Sequence, residues 1–224
     1  MVGDLKIGVI PTIAPYLLPL FINEFAQQFP KVNIQIKELT TEQIQENLLL
    51  RNLDIGILAL SLAHKEFLEF PIYNEPFLVY DCTGDKLKDK LSPEDLNYSK
   101  ICLLEDGHCL RTQVYDICKL SEKHTKNNAN FKFESGSMES LLRITETSKG
   151  ITILPYLAYK NLPKSAKKNI IPFESPTPAR SVGLVTHQFF VKKALKEALF
   201  SIIQKSVSKL IKETNETAVI IKPL

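Results

Sequence analysis

The chain has 224 residues, enough for one large domain or two small ones and for a substantial buried core. Its apolar share of 44%, charged share of 24% and net charge of +3 are those of a globular protein, and the charge is too small and dispersed to indicate nucleic-acid binding by this chain alone. No apolar run approaches the roughly 20 residues that cross a bilayer, no export signal opens the sequence, and four cysteines are too few for a disulfide scaffold, so a cytoplasmic location is expected.

In chain order, Leu5 to Ile10 predicts a short strand, and Pro11-Thr12-Ile13-Ala14-Pro15 opens a helix with Thr12 as its candidate cap. Leu17, Leu18, Phe21, Ile22, Phe25 and Phe29 carry that helix to Pro30. Val32 to Ile36 alternates as a strand, Thr40-Thr41-Glu42-Gln43 starts a second helix ending near Arg51, and Ile55 to Leu60 predicts a buried strand. The rhythm β-α-β-α-β implies a parallel sheet with helices on its faces. Further strands are expected at Phe77 to Tyr80, Ile101 to Leu104, Phe131 to Phe133, Ile151 to Leu154 and Val182 to Val185. Helices are expected after Asp106, Ser137 and Pro155, with a Pro172, Pro176 and Pro178 loop and a closing helix from about Val191 to Ile211. The fold class is therefore α/β with two Rossmann-like lobes: residues 1–76 with 181–224 in the first, and the inserted 77–180 in the second.

One stretch carries chemistry. Leu104-Glu105-Asp106-Gly107-His108-Cys109-Leu110-Arg111 places a thiol beside a histidine and near an arginine, where a strand is expected to give way to a helix. Such surroundings favour the thiolate, which is the reactive form. Cys118 follows nine positions later, and a second thiol on the same segment suggests a reaction ending in a reversible bond.

Three blocks carry a family resemblance: Ile7-Gly8-Val9-Ile10-Pro11-Thr12-Ile13-Ala14-Pro15-Tyr16-Leu17-Leu18-Pro19, the cysteine block, and Gly150-Ile151-Thr152-Ile153-Leu154-Pro155. Together they resemble the regulatory domain of the peroxide-responsive LysR-type transcriptional regulators, the OxyR family, from about Leu5 to residue 210. The resemblance implies the two-lobed fold of periplasmic binding proteins. It implies that Cys109 is the peroxide-reactive cysteine, that Cys118 is its disulfide partner, and that Thr12, Thr41, His108 and Arg111 are polar positions around the reactive thiol. It also implies hydrogen peroxide, a homodimer or homotetramer, a glutaredoxin- or thioredoxin-type reductant and RNA polymerase as partners. DNA would be bound only through a winged helix-turn-helix that this chain does not contain. Thr112 departs from the family, where the residue after the arginine is usually acidic.

Each residue also has a plainer reading. Cys109 and Cys118 could be small core residues, since Val114, Ile117 and Cys118 share a helix phase. Thr12 and Thr41 could be helix caps, and His108 a donor to a backbone carbonyl. Cys82 and Cys102 lie in or beside strand-like segments without basic neighbours and read as core. No C-x-x-C pair or ligand-spaced histidine suggests a metal, no cofactor is expected, and no enzyme motif points to a thiol peroxidase. The main alternative is a LysR-type effector domain binding a small anionic metabolite between the lobes, with the cysteines incidental.

If residues 109 to 118 form one helix, nine steps of 1.5 Å separate the thiols by about 13.5 Å along its axis. A disulfide needs Cα atoms roughly 4.4–6.8 Å apart. The bond the resemblance implies therefore requires that helix to unwind.

Overall fold

The structure is a computed structural model, and it describes residues 1–84, 88–118, 135–211 and 218–223. The chain divides into two compact units: residues 1–74 with 181–214, and residues 75–180 with 215–222.

In the first unit β1 (Gly3–Val9), α1 (Ala14–Gln28), β2 (Val32–Glu38), α2 (Thr41–Leu49) and β3 (Ile55–Ala59) follow one another. β1 lies between β2 and β3 and is parallel to both, with Gly3 opposite Val32, Val9 opposite Glu38 and Ile7 opposite Ile55. Right-handed crossovers of this kind put successive helices on opposite faces of the sheet. A narrow point in the sheet brings α2 close. Gly8 and Gly56 are cross-strand partners, and a methyl group on either would stand within 3.0 Å of the Ile44 side chain. Ile44 and Leu48 are fully buried there. The Phe21 and Phe25 face of α1 packs against α7 (Lys193–Ser208), whose Leu199, Ile203 and Val207 are buried.

Two long strands carry the chain between the units. β4 (Phe67–Asp81) leaves the first unit and enters the second, and β7 (Thr177–His187) returns. The return strand closes the first sheet by pairing antiparallel to β3, Gly56 opposite Val185 and Ala59 opposite Val182. In the second unit β4 pairs antiparallel with β5 (Ile151–Pro155) on one side and with β6 (Ile170–Pro172) on the other. α3 (Cys109–Cys118), α4 (Met138–Thr147), α5 (Tyr156–Asn161) and α6 (Lys164–Lys167) belong to this unit, as does the short strand β8 (Ala218–Ile220).

A buried ion pair marks the place where the chain enters and leaves the second unit. Arg180 Nε donates to Glu75 Oε2 at 2.9 Å and its Nη2 lies 2.8 Å from the same oxygen, with both side chains 1% exposed. The other carboxylate oxygen, Oε1, accepts from the Leu157 N–H at 2.8 Å, in the first turn of α5. Three elements far apart in sequence thus share one carboxylate.

Several expectations are corrected. β4 runs from residue 67, ten residues before the expected strand at Phe77, because Pro71 and Pro76 interrupt the pattern without ending the strand. β7 begins at Thr177, inside the expected proline loop; its first three residues lie parallel to β8, and Pro178, next to the start of the strand, is tolerated there. Ile101 and Leu104 make only isolated bridges, to Ile151 and Ser135, in place of a strand. The expected first-lobe range 181–224 also differs at its end, since residues 218–222 pack with the second unit. The strand expected at Phe131 to Phe133 lies outside the described residues.

Candidate functional site

The cysteine block folds as a turn followed by a helix. Gly107 adopts φ of 91°, a left-handed conformation that glycine takes without strain, and the helix then starts at Cys109 itself. Cys109 is thus in the first turn, where unpaired backbone N–H groups and the helix dipole favour negative charge. Cys118 is the last residue of the same helix.

Both thiols are buried, at 4% and 3% exposure, and neither is in a disulfide. The helical phase explains how. At about 100° per residue, the buried residues Cys109, Gln113, Ile117, Leu110, Val114 and Cys118 sweep an arc of roughly 180° in that order. The two sulfurs stand at the two edges of this arc, facing nearly opposite directions. Thr112 and Tyr115 are half-buried and Asp116 is exposed, and they occupy the outer face.

Burial has a chemical consequence for Cys118, whose thiol is pushed up to about 12 by desolvation alone. An ordinary thiol titrates near 8.5, so the closed helix binds this proton more tightly than an opened chain does. The stability this confers is complete below pH of about 8.5 and is lost as pH rises toward 12. Labelling of Cys118 by a thiol reagent is therefore expected to climb steadily from pH 8.5 to 12, whereas free cysteine levels off soon after its own titration. A plateau near pH 9 would contradict a closed helix.

His108 is 7% exposed, and its Nε2 lies 3.7 Å from Glu105 Oε1, an ion pair whenever the imidazole is protonated. Its carbonyl oxygen accepts the Arg111 N–H at 2.9 Å. Arg111 bridges the entry loop and the helix: Nε is 2.7 Å from Asp106 Oδ1, Nη1 donates to the Leu104 carbonyl at 2.7 Å, and the guanidinium lies over the Tyr115 ring at 5.4 Å. These contacts hold the start of α3 against the segment before it.

Thr12 and Thr41 belong to the first unit, and each is 2% exposed. They occupy equivalent places, three residues beyond Val9 and Glu38, which are paired at the carboxyl ends of adjacent parallel strands. Neither caps a helix through its side chain as expected. α1 starts after Ile13 without a side-chain cap, and α2 is capped by Thr40, whose Oγ1 accepts the Gln43 N–H at 3.3 Å while Gln43 Oε1 accepts the Thr40 N–H at 3.0 Å. That capping box leaves Thr41 Oγ1 buried and without a hydrogen-bond partner among the described residues. Carboxyl ends of parallel strands beside helix N-termini are where α/β folds hold polar ligands.

The other two cysteines flank the start of β5. The Cys82 N–H donates to the Gly150 carbonyl, the Cys102 N–H to that of Ile151, and burial raises the Cys82 thiol while Asn169 Nδ2 donates to its sulfur at 3.6 Å. Cys102 Sγ lies 3.7 Å from Ser148 Oγ. Among the described residues no group of three or more His, Cys, Asp and Glu side chains could hold a metal ion, and no helix is long and apolar enough to cross a membrane.

Reading the sequence alone overlooks Gln113, Glu75 and Arg180. Gln113 lies four residues after Cys109 and four before Ile117, so the helical phase already places it on the buried arc. Arg180 lies before the expected strand at Val182 and inside the observed β7 (Thr177–His187), and nothing local identifies Glu75 as its partner.

Comparison with known proteins agrees with this fold. The LysR substrate binding domain family matches residues 1–207. The hydrogen peroxide-inducible genes activator of Haemophilus influenzae is 36% identical over 187 residues, covering 83% of this chain and 61% of that protein. The crystal structure of OxyR from Porphyromonas gingivalis superposes with a TM-score of 0.87 at 28% identity, covering 98% of this chain and all of that one. OxyR solved in its reduced form gives 0.77 and in its oxidised form 0.75, each at 32% identity and covering 92–93% of this chain and 96–97% of those. The chain spans about three-fifths of the length of the curated relatives it matches. It belongs to the LysR substrate-binding domain family, within which it is homologous to OxyR.

Proposed function

We propose that this chain is the peroxide-sensing regulatory domain of a LysR-type transcriptional regulator, switched by a reversible disulfide between Cys109 and Cys118. The observation that carries this reading is the pair of buried thiols at the two ends of one ten-residue helix. In the first step the Cys109 thiolate attacks one oxygen of hydrogen peroxide. The O–O bond breaks, sulfur becomes a sulfenic acid, and the departing hydroxide takes up a proton to leave as water. In the second step the Cys118 sulfur attacks the Cys109 sulfur, expelling a second water as the disulfide forms. Overall two thiols and one peroxide give one disulfide and two waters.

Burial orders the two steps. The protonated Cys118 thiol is a poor nucleophile while α3 is closed, so the sulfenic acid precedes unwinding. Full ionisation of a thiol at neutral pH would raise its reactive fraction only about 30-fold. Donors aimed at the breaking O–O bond supply the remainder, and His108 is the candidate in the same unit, with Arg111 fixing the turn. The refolded segment would change how two copies associate, and a winged helix-turn-helix elsewhere in a longer protein would carry that change to DNA and RNA polymerase. A thiol reductant of glutaredoxin or thioredoxin type would reset the domain in the cytoplasm.

One equivalent of peroxide is expected to remove two alkylatable thiols per chain, while Cys118→Ser loses one and holds a sulfenic acid that a dimedone-type probe captures. Equal, slow thiol loss in both proteins would contradict the reading. A second reading, an effector domain for a small anionic metabolite, draws support from the buried Thr41 hydroxyl. A ligand that stabilises wild type and the Cys109→Ala/Cys118→Ala double variant alike would favour it.

A further inference from the structure

Gln113 stands midway along α3, fully buried, and its Nε2 donates at 3.1 Å to the carbonyl oxygen of Ile221, 108 residues later. Ile221 directly follows β8, which lies parallel on the first residues of β7: Thr177 opposite Ala218, Pro178 opposite Val219, Ala179 opposite Ile220. The Ile221 N–H donates at 2.7 Å to the Ala179 carbonyl. One residue therefore ties the sheet edge with its N–H and the cysteine helix with its C=O. Among the described residues, little else in β8 holds it. The strand has three residues, and Val219 and Ile220 are 47% and 37% exposed, so apolar burial contributes weakly and the polar ties dominate.

The position of Gln113 makes this tie sensitive to the state of the helix. A disulfide brings Cα atoms from about 13.5 Å apart to less than roughly 6.8 Å, which no helix across residues 109 to 118 survives. Gln113, four residues from one thiol and five from the other, cannot keep its place as the ends of the segment close. We propose that the C-terminal strand Ala218–Ile220 is an output element of the redox switch: the closed helix pins it to β7 through Gln113, and formation of the Cys109–Cys118 disulfide by peroxide releases it, opening the edge at Thr177–Ala179. The inference rests on the disulfide reading above and adds to it the part that moves.

Coupling of this kind is reciprocal. The strand stabilises only the closed, reduced helix, so removing it favours the disulfide. Truncation after residue 217 is expected to shift the thiol–disulfide equilibrium about tenfold toward the disulfide, which for two electrons is about 30 mV more negative.

The test is amide hydrogen exchange on the whole chain, read at residues 177–180 and 218–222, in reduced and peroxide-treated protein and in reduced Gln113→Leu. Oxidation is expected to abolish protection of both segments. Gln113→Leu keeps the volume and loses the donor, so it is expected to speed their exchange about fivefold to tenfold in the reduced protein while α3 stays protected. A mapped disulfide with unchanged protection at 218–222 would overturn the release while leaving the sensor reading intact. Absence of any disulfide would overturn both, and unchanged exchange in Gln113→Leu would overturn the pin whatever the redox chemistry.

Discussion

Replacing Cys109 with serine is expected to slow the reaction of this domain with peroxide by at least about 10³-fold, to the pace of its remaining thiols. The magnitude combines two factors. The fraction of an ordinary thiol that is ionised at neutral pH limits its rate by about 30-fold, and oriented donors at a breaking bond are worth roughly 10² or more. Cys109 stands in the first turn of α3, after the Gly107-His108 approach, where backbone N–H groups face it. Stopped-flow measurement of peroxide consumption in Cys109→Ser, Cys118→Ser and wild type reads the effect. Cys118→Ser should keep the fast phase and lose only the disulfide, because a buried, protonated thiol takes no part until the helix opens. Equal rates in all three proteins would remove Cys109 from the chemistry.

The second large effect is on stability. Glu75→Leu is expected to cost about 3–5 kcal/mol, because it takes the buried Glu75 carboxylate away from the 1%-exposed Arg180 guanidinium and frees the Leu157 N–H. For a chain of this size that lowers the melting temperature by roughly 10 °C. Removing both charges should recover much of the loss, so Glu75→Leu/Arg180→Met is expected to melt within a few degrees of wild type. A double variant as unstable as the single would show that packing, and not the broken ion pair, sets the cost. The pair sits where β4 enters the second unit and β7 leaves it, so its loss weakens that unit at both crossings.

How far these features could be read from the sequence depends on whether the signal is local. The strands and helices of the first unit follow period-2 and period-3.6 patterns with sharp turn signals, and Pro15, the Thr40 box and Pro30 place their ends within a few residues. β4 is harder to see because Pro71 and Pro76 mimic breaks, and β8 because a three-residue edge strand with exposed side chains has no period at all. The cysteine helix was legible because both its glycine turn and its apolar phase are local. What lies around it was not: the ties from Gln113 to Ile221 and from Arg180 to Glu75 span more than 100 residues and leave only a polar residue in a buried position as their trace. Thr41 shows the same limit, since only the capping role of Thr40 reveals its hydroxyl as unpaired among the described residues.

The switch requires α3 to give up its helix so that its two ends can join. Peptide mass mapping after one equivalent of hydrogen peroxide, with free thiols blocked first and amide exchange read on the same sample, tests this directly. The expected result is a Cys109–Cys118 linked peptide, with Cys82 and Cys102 blocked and protection across 109–118 lost. A linked peptide whose helix stays protected, or both sulfurs recovered in blocked form, would contradict it.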